Sequence, residues 1–253
     1  MTTQMLDDLF RSFLDIEGYS AIDTSLNGLQ VDNDGTDVQK IAFAVDAGLE
    51  SITRAAASGA GLLFVHHGLF WGSSRCIAGN FRSRIKALLD SNLALYAVHL
   101  PLDSHPEVGN NAVLARLLGI EQPSPFGLYH GRKIGYKGTL KQPLSIEEAV
   151  GRIAFMGRPP LGVYPFGKAR SATCAVISGG AARQSLDAIT EGLDLYVTGE
   201  SAHEVYHEAL EAGLNMIAGG HYNTEVWGVR AVMERSEAVT KLPVEFIDVP
   251  TGL

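Results

Sequence analysis

Apolar positions near the start recur as Leu6, Leu9, Phe10, Phe13 and Leu14, the i, i+3, i+4, i+7, i+8 spacing that lines one face of a helix. A polar stretch rich in Gly, Asn and Asp follows, through Ser25-Leu-Asn-Gly-Leu-Gln30 and residues 32–37, and reads as turns. Beyond it the pattern changes to short unbroken apolar runs separated by helical periods. Residues 40–45, 61–65 and 93–98 read as buried strands. Leu49–Ala57, a segment around 85–89 and Asn110–Leu118 read as helices, the last stopped by Gly119. Strands buried on both faces and alternating with helices predict an α/β layer of parallel type.

The middle of the chain is punctuated differently. Six of the ten prolines lie between Pro123 and Pro165, and eight glycines lie between Gly127 and Gly167. This predicts a connection between lobes over 123–167, with short strands near 133–140. Ser145-Ile-Glu-Glu148 has the form of a capping box that opens a helix to about Phe155. The α/β rhythm resumes at 172–177 and runs to a last strand at 244–249. The expected organisation is an N-terminal lobe over 1–125 and a C-terminal lobe over 126–253.

The two halves resemble each other. Ala44-Val45, a helix and then Leu62-Leu-Phe-Val65 match Ala175-Val176, a helix and then Leu193-Asp-Leu-Tyr-Val197. A further helix and strand follow in each half. Both halves then present a histidine with a carboxylate four residues on, His99-Leu-Pro-Leu-Asp103 and His221-Tyr-Asn-Thr-Glu225. The fold expected is therefore α/β, with two similar lobes related by a pseudo-repeat. Ligands of parallel α/β sheets collect outside the carboxyl ends of strands. A site at strand ends between the lobes follows from that rule.

Composition excludes several classes. With 46% apolar and 19% charged residues in 253, the chain has ample material for a core. The net charge of −8 leaves no basic footprint, so no nucleic-acid partner is expected. The apolar runs are too short to cross a bilayer, and the start has no secretory pattern, so a cytoplasmic chain without a membrane partner is expected. Cys76 and Cys174 are single and far apart, without metal or redox spacing.

The chemistry concentrates in the histidines. His66-His67-Gly68 closes a predicted strand, where consecutive side chains point to opposite faces unless the chain turns, and Gly68 supplies the permissive backbone. With Asp103, His221 and Glu225 at corresponding strand ends, metal binding is the favoured reading. Imidazole and carboxylate without thiolate suit Zn, Mn, Fe, Co or Ni. Five ligands exceed what one catalytic zinc needs and suit two divalent ions per chain, sharing a hydroxide as nucleophile.

His66-His-Gly68, Pro101-Leu-Asp103, Thr198-Gly-Glu200 and Gly220-His-Tyr-Asn-Thr-Glu225 resemble, in order and over essentially the whole chain, the motifs of the Nif-three-like GTP cyclohydrolase 1 type 2 homologues. Ser25-Leu-Asn-Gly-Leu-Gln30 is similar to that family's N-terminal motif, with Leu26 where tryptophan is common. The resemblance implies two α/β lobes, a toroidal homohexamer, and metal ligands at His66, His67, Asp103, His221 and Glu225. It implies the short form of the family, without the domain that longer relatives insert between the lobes.

Other residues carry competing readings. His99 is a candidate to orient Asp103 or a metal-bound water, or to serve as an occasional extra ligand; a loop histidine bonded to backbone is the plain alternative. Glu200 is a candidate general base, balanced by a role at the N-terminus of the next helix. His203-Glu-Val-Tyr-His207 matches the zinc-peptidase pattern literally, but leaves His66, His67 and Asp103 unexplained. Ser178-Gly-Gly180 is a weak phosphate-cradle candidate that a tight turn explains equally well. The expectation is a dinuclear metal-dependent hydrolase of a small polar substrate, with nucleotides among the candidates. A non-catalytic metal-binding or regulatory scaffold is the alternative, and a zinc metallopeptidase using His203, Glu204 and His207 the further one.

Overall fold

The unbroken apolar runs become the central strands. In the computed structural model, which describes residues 1–253, helices α1 (Thr3–Phe13) and α2 (Ile16–Tyr19) precede strand β1 (Gly28–Val31). Then β2 (Ile41–Asp46), α3 (Leu49–Ala57), β3 (Leu62–His67), α4 (Gly79–Asp90), β4 (Ala94–Ala97) and the short α5 (Leu100–Asp103) follow. The next stretch holds α6 (Asn110–Leu118), β5 (Ile120–Tyr129), β6 (Arg132–Leu144), α7 (Ile146–Ile153), β7 (Gly162–Tyr164) and β8 (Ser171–Ile177). Last come α8 (Ser185–Thr190), β9 (Leu195–Thr198), α9 (Tyr206–Ala212), β10 (Asn215–Ala218), α10 (His221–Thr240) and β11 (Val244–Phe246).

Two compact units result, one of residues 1–102 with 229–249, the other of 103–228 with 250–253. The first is built on a five-stranded sheet in the order β1-β4-β3-β2-β11. β2, β3 and β4 are mutually parallel, β11 joins β2 in parallel, and β1 runs antiparallel on β4. Leu62, Leu63, Phe64 and Val65 are all fully buried, as expected for a strand covered on both faces. Each such side chain contributes roughly 1.5–3 kcal/mol. The second unit carries a six-stranded sheet in the order β5-β6-β8-β9-β10-β7. Here β8, β9 and β10 are parallel and β7 lies antiparallel on β10. The segments β1-β4-β3-β2 and β7-β10-β9-β8 thus share order and direction, so the sequence repeat is also a repeat of topology.

The Pro/Gly-rich stretch is not a connection. Residues 123–167 lie inside the second unit, and most of them form the long hairpin β5–β6 and α7. Pro123 and Pro125 are tolerated because β5 is the outermost strand, where a missing N–H breaks no inner ladder. The hairpin turns at His130 and Gly131, both with positive φ. The units also divide the chain after Leu102 rather than near residue 125, and the chain returns to the first unit partway along α10. Two local predictions appear as read. Gly119 caps α6 in the left-handed region at φ 81°, and Ser145 with Glu148 forms a reciprocal capping box on α7. No helix is long and apolar enough to cross a membrane.

Asp194 anchors the start of β8 to the turn before β9. Its carboxylate accepts Lys168 Nζ at 2.7 Å and the backbone N–H groups of Ala172 and Thr173 at 2.9 and 3.2 Å. Burial works to raise its pKa, but Lys168 and the two amides outweigh it and hold the carboxyl below its usual range. Asp194→Ala should therefore destabilise the protein by about 1–3 kcal/mol at neutral pH, since two amides lose their acceptor. Because the folded pKa is depressed, that stabilisation is complete above the unfolded value of about 3.9 and is lost as pH falls below it. Urea unfolding midpoints of the two proteins should differ at neutral pH and converge in acid.

Candidate metal centre

In the first unit three imidazoles gather at the ends of neighbouring parallel strands. His66 and His67 are the last residues of β3, and His99 follows β4 by two positions. Their rings lie 4.6 Å (His66–His67), 5.1 Å (His66–His99) and 5.7 Å (His67–His99) apart between centroids. One ring nitrogen from each falls within 4.8 Å of the others. His66 is fully buried.

Each ring is held by its Nδ1. His66 Nδ1 meets the Val98 carbonyl at 2.9 Å, His67 Nδ1 meets Asp46 at 2.8 Å, and His99 Nδ1 meets Asp23 at 2.9 Å. Asp46 is the cross-strand neighbour of His67 on β2. Asp23, with a side chain only 1% exposed, also accepts the N–H groups of Ser25 and Leu100 and the Asn27 amide. Burial works to raise the Asp23 pKa, but His99, with the Asn27 amide and the Ser25 N–H, outweighs it and lowers it. An acceptor on Nδ1 fixes the N–H there and leaves Nε2 as the lone-pair atom, the arrangement that metal-ligating histidines use.

Gly68 has a different purpose from the one its sequence suggests. Its φ lies outside the left-handed region, but a Cβ would come within 2.4–2.6 Å of the Gln30 amide and the Ala97 methyl. Gln30 needs that place, since its Oε1 accepts the Leu69 N–H at 2.7 Å. Gly68 is required for space.

The second unit supplies imidazole and carboxylates. His221 and Glu225 lie one turn apart at the start of α10, which puts both on one helix face, with Nε2 to Oε1 at 3.1 Å. His221 Nδ1 meets Glu200 Oε1 at 2.5 Å, and Glu200 follows β9. Burial disfavours the imidazolium, yet Glu225 and Glu200 together outweigh it and push His221 up to about 9. Any cation taking that Nε2 must displace a proton. Asp103 is buried and its Oδ1 accepts Asn110 Nδ2 and Ser178 Oγ, each at 2.9 Å. The Ser178–Gly180 loop is a support for this cluster. Gly179 N–H reaches Thr224 Oγ1 at 3.0 Å, and the Gly179 carbonyl accepts the N–H groups of Gly199 and Glu200.

The donor set fits a hard-to-borderline divalent cation. It consists of neutral-capable imidazoles and carboxylates, with no thiolate. Cys76 is exposed, and Cys174 is buried within β8, where burial pushes its thiol up. The zinc-peptidase motif does not assemble. His203 sits on a 3₁₀ turn and His207 on α9, Glu204 is paired with Arg183 at 3.1 Å, and neither histidine joins two other metal-type side chains.

Fold and site together define an α/β protein of two sheets whose strand ends carry side-chain groups able to hold metal ions. The model of the family described as Duf34/NIF3 (NGG1p interacting factor 3) matches residues 1–252. The chain is 41% identical to a GTP cyclohydrolase 1 type 2 homolog of Treponema pallidum over 100% of both chains. It is 44% identical to one of Archaeoglobus fulgidus over 99% of this chain and 97% of that one. The crystal structure of TTHA1606 from Thermus thermophilus superposes with a TM-score of 0.89 at 39% identity, covering 100% of each chain. This chain belongs to the Duf34/NIF3 family.

Proposed function

We propose that His66, His67, Asp103, His221 and Glu225 hold two divalent ions, and that the protein is a metal-dependent hydrolase of a small polar substrate. The observation that carries this reading is the Nδ1 anchoring of His66, His67 and His221, each by a protein oxygen within 2.5–2.9 Å. Orienting acceptors on every one of these rings are what a metal site needs and what a solvated surface histidine does not. Divalent ions at such donors would polarise a substrate oxygen and acidify water for attack near neutral pH. The chain's own part is positional. Asp46 and Val98 aim the first-unit imidazoles, Glu200 aims His221, and Ser178 with Asn110 fixes Asp103.

Glu200 acts in this reading through His221, and His99 stands beside the two first-unit ligands with its own anchor, Asp23. The relatives' shared name makes GTP the first substrate to try, followed by other nucleotides. The net charge of −8 gives no long-range attraction for such anions, so the metals and local N–H groups must bind any phosphate. The assembly we carry with this reading is a homohexamer, checked by native mass.

Protein loaded separately with Mn, Fe, Co, Ni and Zn should be screened for hydrolysis of nucleotides and phosphoesters. Metal-dependent turnover that falls at least ~100-fold in Glu225→Gln, with folding retained, is the expected result. Metal binding without turnover on any member of that panel would overturn the hydrolase and leave the non-catalytic metal-binding protein.

A further inference from the structure

A second concave site lies in the second unit, on chemistry that the metal reading does not use. It is a cavity of about 320 Å³ bounded by β7, the segment after it, the 3₁₀ turn at His203–Val205 and α9. Three aromatic rings build it. Tyr206 stands nearly perpendicular to both Tyr164 (85°, centroids 6.2 Å apart) and Phe166 (80°, 5.1 Å). Tyr164 and Phe166 lie 5.8 Å apart at 47°. The result is a corner of two aromatic walls, with Met216 among the residues lining it.

The corner is held in place. Tyr164 Oη and Ser201 Oγ are 2.8 Å apart, which ties β7 to the loop after β9. The Tyr164 ring folds over Gly162, where a Cβ would meet Tyr164 Oη at 2.6 Å and Cζ at 2.9 Å. Tyr206 is nevertheless 41% exposed, a large ring left open to solvent.

We propose that this cavity is a binding site for the neutral aromatic or heteroaromatic ring of a small molecule. Perpendicular walls let a planar guest stack, offset, on one ring while its edge meets the face of another, the two arrangements aromatic pairs prefer. A flexible aliphatic guest gains nothing from that geometry. A cationic guest would gain cation–π attraction from these ring faces, but no carboxylate lines the cavity to offset the loss of its hydration, so the neutral ring is the better fit. The polar groups present are His203 and the Tyr164–Ser201 hydroxyl pair, which offer hydrogen bonds to ring heteroatoms. Apolar walls with a few convergent polar groups are the usual make-up of small-molecule sites.

The probes are indole, adenine, cyclohexanol and tetramethylammonium, titrated into the full-length protein by saturation-transfer NMR and calorimetry. Indole and adenine should bind saturably, and the other two at least ~tenfold more weakly. Tyr206→Ala should weaken indole and adenine at least ~tenfold, and its partial exposure keeps the fold intact. Gly162→Ala should weaken them too, because it displaces the Tyr164 ring without deleting any lining group. His66→Ala should leave ring binding unchanged, which separates this site from the metal reading. The proposal is overturned if no aromatic probe saturates, if tetramethylammonium binds as tightly as indole, or if Tyr206→Ala binds indole like the parent. It is equally overturned if Tyr206→Ala changes the native mass while the parent binds no probe, because a second copy then covers the corner.

Discussion

Replacing His66 by alanine is expected to remove most of the protein's metal affinity. His66 is fully buried at the end of β3, its Nδ1 is committed to the Val98 carbonyl at 2.9 Å, and its ring touches those of His67 and His99. Its geometry is therefore set by the sheet, and no exposed side chain can swing in to replace it. Loss of an outer partner of a metal ligand alone costs about 10–100-fold in affinity, so loss of the ligand should cost more than ~100-fold. Metal analysis after dialysis should give about two ions per chain for the parent and fewer for the variant. Bound metal stabilises the folded state in proportion to the logarithm of its concentration over Kd. The rise in Tm on adding metal should thus shrink or vanish in His66→Ala, while the metal-free proteins unfold with similar cooperativity. His203→Ala is the matched comparison and should keep full metal content. If His203→Ala empties the protein and His66→Ala does not, the ligand assignment is wrong.

The parts of this molecule that are legible in its sequence are those where one local pattern has one physical cause. β2, β3, β4, β8, β9 and β10 read as strands because burial on both faces demands unbroken apolar runs. β1 and β7 do not, since Gly28-Leu-Gln-Val31 and Gly162-Val-Tyr164 are short, begin with glycine and stay partly exposed. Pro123 and Pro125 hide β5 because proline marks a turn as readily as an edge strand. The division into units is silent, because the chain leaves the first unit within the short α5 and re-enters it within α10 with no break in periodicity. Among site residues, His66 and His67 announce themselves by standing together at a strand end. Asp23 does not, since it is an acid in a polar loop that meets its histidine 76 residues further on. Asp46 and Asn110 are hidden in the same way, whereas Glu200 is visible in sequence only as an acid after a strand, with its hold on His221 left to the fold.

Gly179→Ala should disable the second-unit half of the metal centre without removing any ligand. Gly179 adopts φ +66°, and a Cβ built there would lie 2.4 Å from Glu225 Oε1 and 3.2 Å from His221 Nε2. The first distance is shorter than any tolerated contact, so the carboxylate must move. It cannot move freely, because Glu225 is buried and α10 fixes its backbone. The loop cannot retreat either, since the Gly179 N–H and carbonyl are tied to Thr224, Gly199 and Glu200. Pushing a ligand off its set position should cost about 10–100-fold in metal affinity, as loss of the partners that orient metal ligands does. Two effects must be separated, because alanine at positive φ also costs roughly 1 kcal/mol of stability through backbone strain alone. Gly192→Ala provides the separation: Gly192 has the same φ of +66° but nothing within 4 Å of its would-be Cβ. Gly192→Ala should show the backbone cost alone, Gly179→Ala should lose at least that much stability in the absence of metal, and only Gly179→Ala should lose metal affinity. Equal metal affinity in the two would mean that the Glu225 oxygen and His221 nitrogen facing Gly179 are not the atoms that meet the ion.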